Sequence, residues 1–531
     1  MSAGPRESVA LRTAAAQVGV VTGAARVAGL LRWLAFAGAV GASGVGTVYQ
    51  SVNAVPNLVY EIAAGGVLAA VVVPLVAQAS GRARSDHVAS ALLTRAVAVL
   101  LPASIALALA APWISRALLA GVEVDGAAAL GTRLLVLFSP QVLLYGIGIV
   151  VTGVLQAHER LLAAALAPLL SSVVVIATYL LYAAVVPRPP DGSAVIPTAG
   201  WVILGVGTTA GVAALSLPLL AVAASAGITL RPRWSLSAEE TGRAASLAAA
   251  GVVALIAQQL ALLVVIRVAN RSGGDGALVV HQYAQTVYLL PYAVLAVPIA
   301  TATFARLARS AGEEGAARTL GSALRVVTAV SGAAAAGLVA AAPAVGVAFG
   351  LLDRSARQAG AGSGALDALP VALASTALGL VGFSVTALAT RSLYLHGRAV
   401  QAGLAMAVGW VISAGVPAVV LAPDAGPGRT LVVLGCSSAA GMSVAATILL
   451  VLVRRDWGPT AVTGLARLVG VVGGALVLAC VLAWLVRRSD LTEVPALAVS
   501  LGVATVLAAL TAAAAAVVDP VVRAALLRWR S

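Results

Sequence analysis

Arg26 and Arg32 stand in the stretch "ARVAGLLRW", residues 25–33, inside an apolar run with no acidic residue close by. A guanidinium stays ionised and offers a planar fork of N–H donors, which suits it to phosphate and diphosphate groups. At the centre of a membrane helix each arginine costs about 2.5–3.5 kcal/mol on insertion scales, so a helix facing only lipid would hardly keep two. Either the pair faces a water-filled cavity that holds an anion, or the long side chains snorkel to the interface. Snorkelling is harder for them than for Arg12, because both lie well inside a span that starts near residue 13. Six residues apart, they point about 120° apart on an ideal helix. Gly29 between them can admit a bend that turns both to one side.

Other polar groups are sparse. Glu61 is the only carboxylate well inside the second apolar run. It can pair with Arg26 or Arg32, serve as a protonatable coupling group, or lie at the interface of a tilted helix. Gln258, Gln259, Arg267, His281, Gln282 and Gln285 thread the seventh and eighth runs, and His281 and Gln285, four residues apart, share a helix face. His281 reads equally as an interfacial residue. Pro56, Gly65, Gly66, Pro291 and Pro298 are hinge or kink positions, although the two glycines serve as well for close helix packing. There is no Walker motif, no HExxH and no Ser/His/Asp grouping. The expectation is therefore a protein without enzymatic chemistry, cofactor or metal.

The elements that position these residues must be membrane helices. Of 531 residues, 61% are hydrophobic and only 10% charged, with mean hydropathy +1.03. A soluble chain would carry roughly a quarter charged residues. The apolar residues come in runs near the roughly 20 needed to cross a bilayer core. Barrel strands would alternate in polarity instead. Breaks at Gly, Pro and charge place spans near 13–40, 47–78, 88–114, 127–156, 161–186, 200–226 and 243–269. Seven more follow near 276–305, 318–350, 366–394, 399–422, 429–453, 460–486 and 493–518. The fold class is thus all-α and polytopic, with about fourteen helices.

The net charge of +14 is carried entirely by arginine among the basic residues. In a membrane protein this reads as cytoplasmic loops meeting an anionic inner leaflet, not as nucleic-acid binding. With both termini inside, the cytoplasmic segments hold about twice as many arginines as the opposite loops, where Arg354 and Arg357 are counted. The start of the chain shows no signal-peptide cleavage site and reads as a cytoplasmic leader. The tail "VVRAALLRWRS" reads as a basic, interfacial end. Cys436 and Cys480 fall in apolar spans and suggest neither disulfide nor zinc site.

Two stretches echo each other about 235 residues apart. "VLQAHERL" (154–161) closes the fourth span and "SLYLHGRA" (392–399) the tenth, while "ALLTRAVAVL…ALAAP" (91–112) matches "ALRVVTAV…AAAP" (323–343). An offset of six spans leaves both copies in one orientation. Parallel six-helix repeats are a transporter architecture.

Several stretches, in order, resemble the MurJ/MviN lipid II flippases of the multidrug/oligosaccharidyl-lipid/polysaccharide exporter superfamily. They are "ARVAGLLR" (25–32), "VPNLVYEIAAGGVLAAVVVPLVAQ" (55–78), "AAPW" (110–113), "SPQVLLYGIGIVVTGVLQAHER" (139–160), "ALAP" (165–168) and "LGLVGFSVTALATRSLYLHGRA" (378–399). The resemblance implies two six-helix lobes in a pseudo-twofold arrangement, residues 1–228 and 229–456, with two extra C-terminal helices and a basic tail in 457–531. It implies alternating-access movement of undecaprenyl-diphosphate-linked peptidoglycan precursor across the bacterial cytoplasmic membrane. The resemblance carries over onto Arg26 and Arg32; joined to the reading of the residues themselves, the expected substrate set is Arg26, Arg32, Glu61, Tyr60, Gln285 and His281, with hinges at Gly29, Pro56, Gly65, Gly66 and Pro291. Thr47, Tyr60 and Thr286 occupy positions that are charged in well-studied members. Expected partners are the lipid-linked diphosphate, membrane lipids and cell-wall synthesis proteins, with a monomeric chain and no nucleic acid. Alternative readings are an exporter of another polyprenyl-linked glycan or small molecule, or a degenerate paralogue acting as a cell-wall assembly scaffold.

Overall fold

In a computed structural model of the chain, residues 5–62, 68–79, 81–187, 193–309, 315–354, 364–489 and 492–528 are described. They form helices and no β-strand; one isolated bridge joins Asp125 and Ser193. Twelve helices among the described residues are long and apolar enough to cross a membrane, and a pair bent by 42°, Ala365–Ala377 with Leu380–Tyr394, makes a further candidate. The expected second span appears as two helices on either side of residues 63–67, which lie outside the described residues and include Gly65 and Gly66.

The chain divides into two compact units. The first takes in residues 1–255 and, from far along the sequence, Asp353–Ser355. Its helices are α1 (Pro5–Ala39), α2 (Val45–Ile62), α3 (Leu68–Ala77), α4 (Arg82–Leu118), α5 (Ala127–Phe138), α6 (Pro140–Ala157), α7 (Leu161–Val185) and α8 (Thr198–Ser225). The unit boundary falls inside α9 (Ala238–Gly273), where the sequence reading divides the chain before that helix.

The α4 helix has 37 residues, so it runs about 55 Å and exceeds the roughly 30 Å hydrocarbon core. Its polar first third is used. Asp86, Ser90 and Thr94, four residues apart, accept the backbone N–H groups of Thr229, Arg231 and Arg233 at 3.1, 3.1 and 2.9 Å. Four residues of helix rise about 6 Å, close to two residues of extended chain, so the two periods match. Further along, Val72, Val76, Val88, Val150, Val154 and Leu219 form a dry core between α3, α4, α6 and α8.

Asp353 and Arg354 complete this unit. Asp353 accepts the backbone N–H of Ala42 at 3.2 Å, just ahead of α2. Arg354 donates to the Ala39 carbonyl at the end of α1 and, at 2.9 Å, to that of Val186 after α7, with its guanidinium 5.5 Å from the Tyr182 ring centre. A carboxylate thus meets a helix start and a cation meets helix ends, the favourable sense for both dipoles. The arginine count treats Arg354 as a loop charge; the structure buries it to 6% exposure, because backbone carbonyls supply its partners.

The second unit holds α10 (Ala277–Pro291), α11 (Val297–Arg309), α12 (Ala316–Leu352), α13 (Leu369–Ala377) and α14 (Leu380–Tyr394). It continues with α15 (Ala399–Val420), α16 (Pro427–Trp457), α17 (Leu465–Arg488), α18 (Glu493–Val518) and α19 (Pro520–Arg528). The α12 helix also has 37 residues. It packs α17 and α18 through Ala336, Val339, Ala340, Ala479, Ala504 and Leu507, where small side chains let the helices approach. Arg325 on α12 and Asp519 pair at 3.6 Å, and Asp519 also accepts the Val521 N–H that opens α19.

The repeat read from the sequence has a structural counterpart. In the first unit the Arg160 N–H bonds the Leu155 carbonyl at 2.8 Å, with Glu159 at φ +61°. In the second the Arg398 N–H bonds the Leu393 carbonyl at 3.0 Å, with Gly397 at φ +70°. Both are left-handed helix ends of one kind.

Candidate functional site

In the first unit the α1 helix carries Arg26 and Arg32 and lies along α7. It is helical without interruption through Gly29. Arg26 is exposed and Arg32 half-buried. Among the described residues neither is hydrogen-bonded or paired with Glu61, which is itself exposed near the end of α2. The expected arginine–carboxylate pair is therefore absent, and both cations are open to an external anion.

Arg32 lies within electrostatic range of three tyrosines, Tyr49, Tyr145 and Tyr179. The hydroxyls have a defined order. Thr208 donates to the Leu204 carbonyl at 2.6 Å, so it accepts from Tyr49 at 2.8 Å, and Tyr49 in turn accepts from Tyr179 at 3.0 Å. Phe36, one turn beyond Arg32, stacks on Tyr49 and Tyr179 at 5.6 and 5.4 Å and dries the cluster. A second set follows along α2. Tyr145 donates to Asn57 Oδ1 at 2.7 Å, Asn57 donates to the Asn53 carbonyl at 2.9 Å, and Tyr60 stacks on Tyr145 at 4.5 Å. Tyr60 also borders a cavity of about 160 Å3 beside Thr152 and Gln156.

The sequence reading passed over Tyr49, Asn53 and Asn57, yet the signal was there. Together with Glu61 they recur every four residues, one polar stripe on one face of α2. Pro56 lies inside this helix, buried. Thr47 is fully buried and donates to the Ala42 carbonyl at 3.1 Å.

In the second unit His281 is buried on α10, with no hydrogen bond to Nδ1. Gln285, one turn on, is half-buried. Gln259 Oε1 and Gln282 Oε1 are likewise buried without a partner. Thr286 donates to its own helix at Gln282, 2.8 Å away. Directly after Pro291 comes one π-helical turn, Tyr292–Ala296, the irregularity expected where a proline removes a backbone donor. Among the described residues no three His, Cys, Asp or Glu side chains converge as metal ligands. The chemistry on offer is anion binding by guanidinium and hydroxyl groups.

The family model described as lipid II flippase MurJ matches residues 36–507, beginning just after Arg26 and Arg32. A curated relative, the probable lipid II flippase MurJ of Rhizobium tropici, is 28% identical over 298 residues. That alignment takes in 55% of this chain, and the chain spans about half (54%) of the relative's length. Among solved structures, a lipid II flippase MurJ in an inward closed conformation superposes with TM-score 0.70 at 16% identity, over 93% of this chain and 98% of that one. An inward-facing multidrug resistance MATE family transporter of the MOP superfamily gives 0.64 at 17% identity, over 83% and 96%. An outward-facing form of such a transporter gives 0.58 at 17%, over 84% and 96%.

Proposed function

Because the chain belongs to the lipid II flippase MurJ family, we propose that it moves a lipid-linked diphosphate, the peptidoglycan precursor lipid II, across the bacterial inner membrane by alternating access. The carrying observation is Arg32, a half-buried cation that has no carboxylate partner among the described residues and lies near the hydroxyls of Tyr49, Tyr145 and Tyr179. A diphosphate satisfies such a fork by charge-assisted, bidentate bonds. Arg26, exposed on the same helix, is a second phosphate contact. Tyr60 and Glu61 edge this site from α2; within the second unit, His281 and Gln285 are separate polar candidates. The missing carboxylate favours an anionic cargo over an organic cation. Fold neighbours named as inward-facing and outward-facing forms support a cycle between two accessible states. Pro56, Pro291 and the π-helical turn are the places where helices can bend during it. In this reading both termini are cytoplasmic, the chain works as a monomer beside cell-wall synthesis proteins, and no bond is made or broken.

The test is complementation of a flippase-depleted strain, read with lipid II translocation in vesicles. Wild type is expected to rescue, Arg32→Ala to fail, and Arg26→Ala to lose about tenfold in rate. Full rescue by the double alanine variant would overturn the clamp. Failure of a well-expressed wild type would favour another polyprenyl-linked cargo or a scaffold role.

A further inference from the structure

An open cavity of about 470 Å3 lies at one end of the first unit, where the α3–α4 turn, the first turn of α4, the α6–α7 turn and the end of α8 meet. Arg82, Ser85, His158 and Arg160 supply its polar wall, and the rest of the lining is Gly81, alanine and Val76, with no carboxylate. Arg82 spends one N–H on the Ala226 carbonyl and keeps the rest of its fork. His158 Nδ1 donates to the Val154 carbonyl at 2.9 Å, which leaves Nε2 beside the Ser85 hydroxyl at 3.4 Å. The α4 helix starts at Gly81, which has no side chain to cap it, so the N–H groups of its first turn add to the positive wall.

The second unit shows how this arrangement is neutralised when the chain does it alone. There the matching left-handed turn presents Arg398, which pairs with Asp456 at 3.2 Å near the end of α16. In the first unit the same turn presents Arg160, and its guanidinium has no hydrogen bond or ion pair among the described residues. The last turn of α8, the counterpart of α16, holds no acidic residue. A position filled by a carboxylate in one repeat is thus open, and lined by cations, in the other.

From this contrast we infer that the cavity binds a phosphate group, held by the guanidinium groups of Arg160 and Arg82 with the first turn of α4. The same chemistry is offered by an anionic phospholipid headgroup and by free phosphate. The inference does not rest on the flippase reading, because it uses a site built within the first unit alone.

Its test uses the full chain in an uncharged detergent, titrated separately with short-chain phosphatidylglycerol and with inorganic phosphate. Binding is read by native mass spectrometry and by the thermal unfolding midpoint. The variants are Arg160→Ala, whose guanidinium has no hydrogen bond or ion pair among the described residues, and Arg116→Ala, an exposed arginine at the other end of α4. Saturable binding of either probe is expected, about tenfold weaker in Arg160→Ala and unchanged in Arg116→Ala. Response to phosphatidylglycerol alone assigns a lipid headgroup; response to inorganic phosphate assigns a free anion. Equal losses in both variants, or none in a folded Arg160→Ala protein, would overturn the site.

Discussion

Arg26 and Arg32 occupy one helix and meet different surroundings, and that difference follows from residues the chain places around them. Arg32 is followed one turn later by Phe36, whose ring leads into Tyr49 and Tyr179, whereas Arg26 stands on an exposed stretch of α1. The residue types and their spacing were legible from sequence alone. The tyrosine network was not, because its members come from α2, α6, α7 and α8 and only tertiary packing brings them together. The same holds for Thr47 and Thr286, whose hydroxyls bond nearby carbonyls. At this scale the left-handed turn makes a direct prediction. Glu159 holds φ +61°, a region costing an L-residue roughly 1–2 kcal/mol, where the second repeat has Gly397. Glu159→Gly is expected to raise the unfolding free energy by up to about 1 kcal/mol, once the extra freedom of glycine in the unfolded chain is offset. A lowered unfolding midpoint would contradict it.

Helices fared better than contacts in the reading of the sequence, since long apolar runs bounded by glycine, proline and arginine are strong signals. Boundaries suffered where a helix outlasts the bilayer. The start of α4, residues 82–87, lies ahead of the span read at 88–114, yet it is helical, and Asp86, Ser90 and Thr94 hold this end of α4 against residues 229–233. Close helix crossings are the other feature hidden from composition. At Gly441 on α16 an added Cβ would lie 2.3 Å from the Gly409 carbonyl oxygen of α15 and 2.4 Å from Ser413 Oγ. Backbone is in the way, so the helices themselves must separate. Gly441→Ala is expected to cost more than about 2 kcal/mol, within the range known for overpacked cores. By contrast Gly470→Ala on α17, with open space around it, is expected to be neutral or better, and unfolding of the two variants side by side checks the pair.

For the molecule as a whole, an all-α, multi-pass chain was readable, because long apolar runs recur along its length. What pattern could not supply is the long reach of Asp353 and Arg354, hydrophilic residues that hydropathy assigns to a loop. Their partners are backbone groups of Ala37, Ala39, Ala42 and Val186, which have no signature in sequence. Removing the guanidinium leaves helix-end carbonyls buried and unmet, which costs about 1–3 kcal/mol for each group. Arg354→Ala is therefore expected to lower the unfolding midpoint, and Arg354→Lys to recover only part of the loss, because an ammonium lacks the planar fork. An unshifted midpoint in Arg354→Ala would show that water replaces those bonds.

That reach also orders events during synthesis. When the ribosome has delivered residue 255, the first unit still lacks the two side chains that close its α1–α2 corner. It must wait in the membrane, with those carbonyls and amides provisionally satisfied, until α9 to α12 have been inserted and Asp353 and Arg354 emerge.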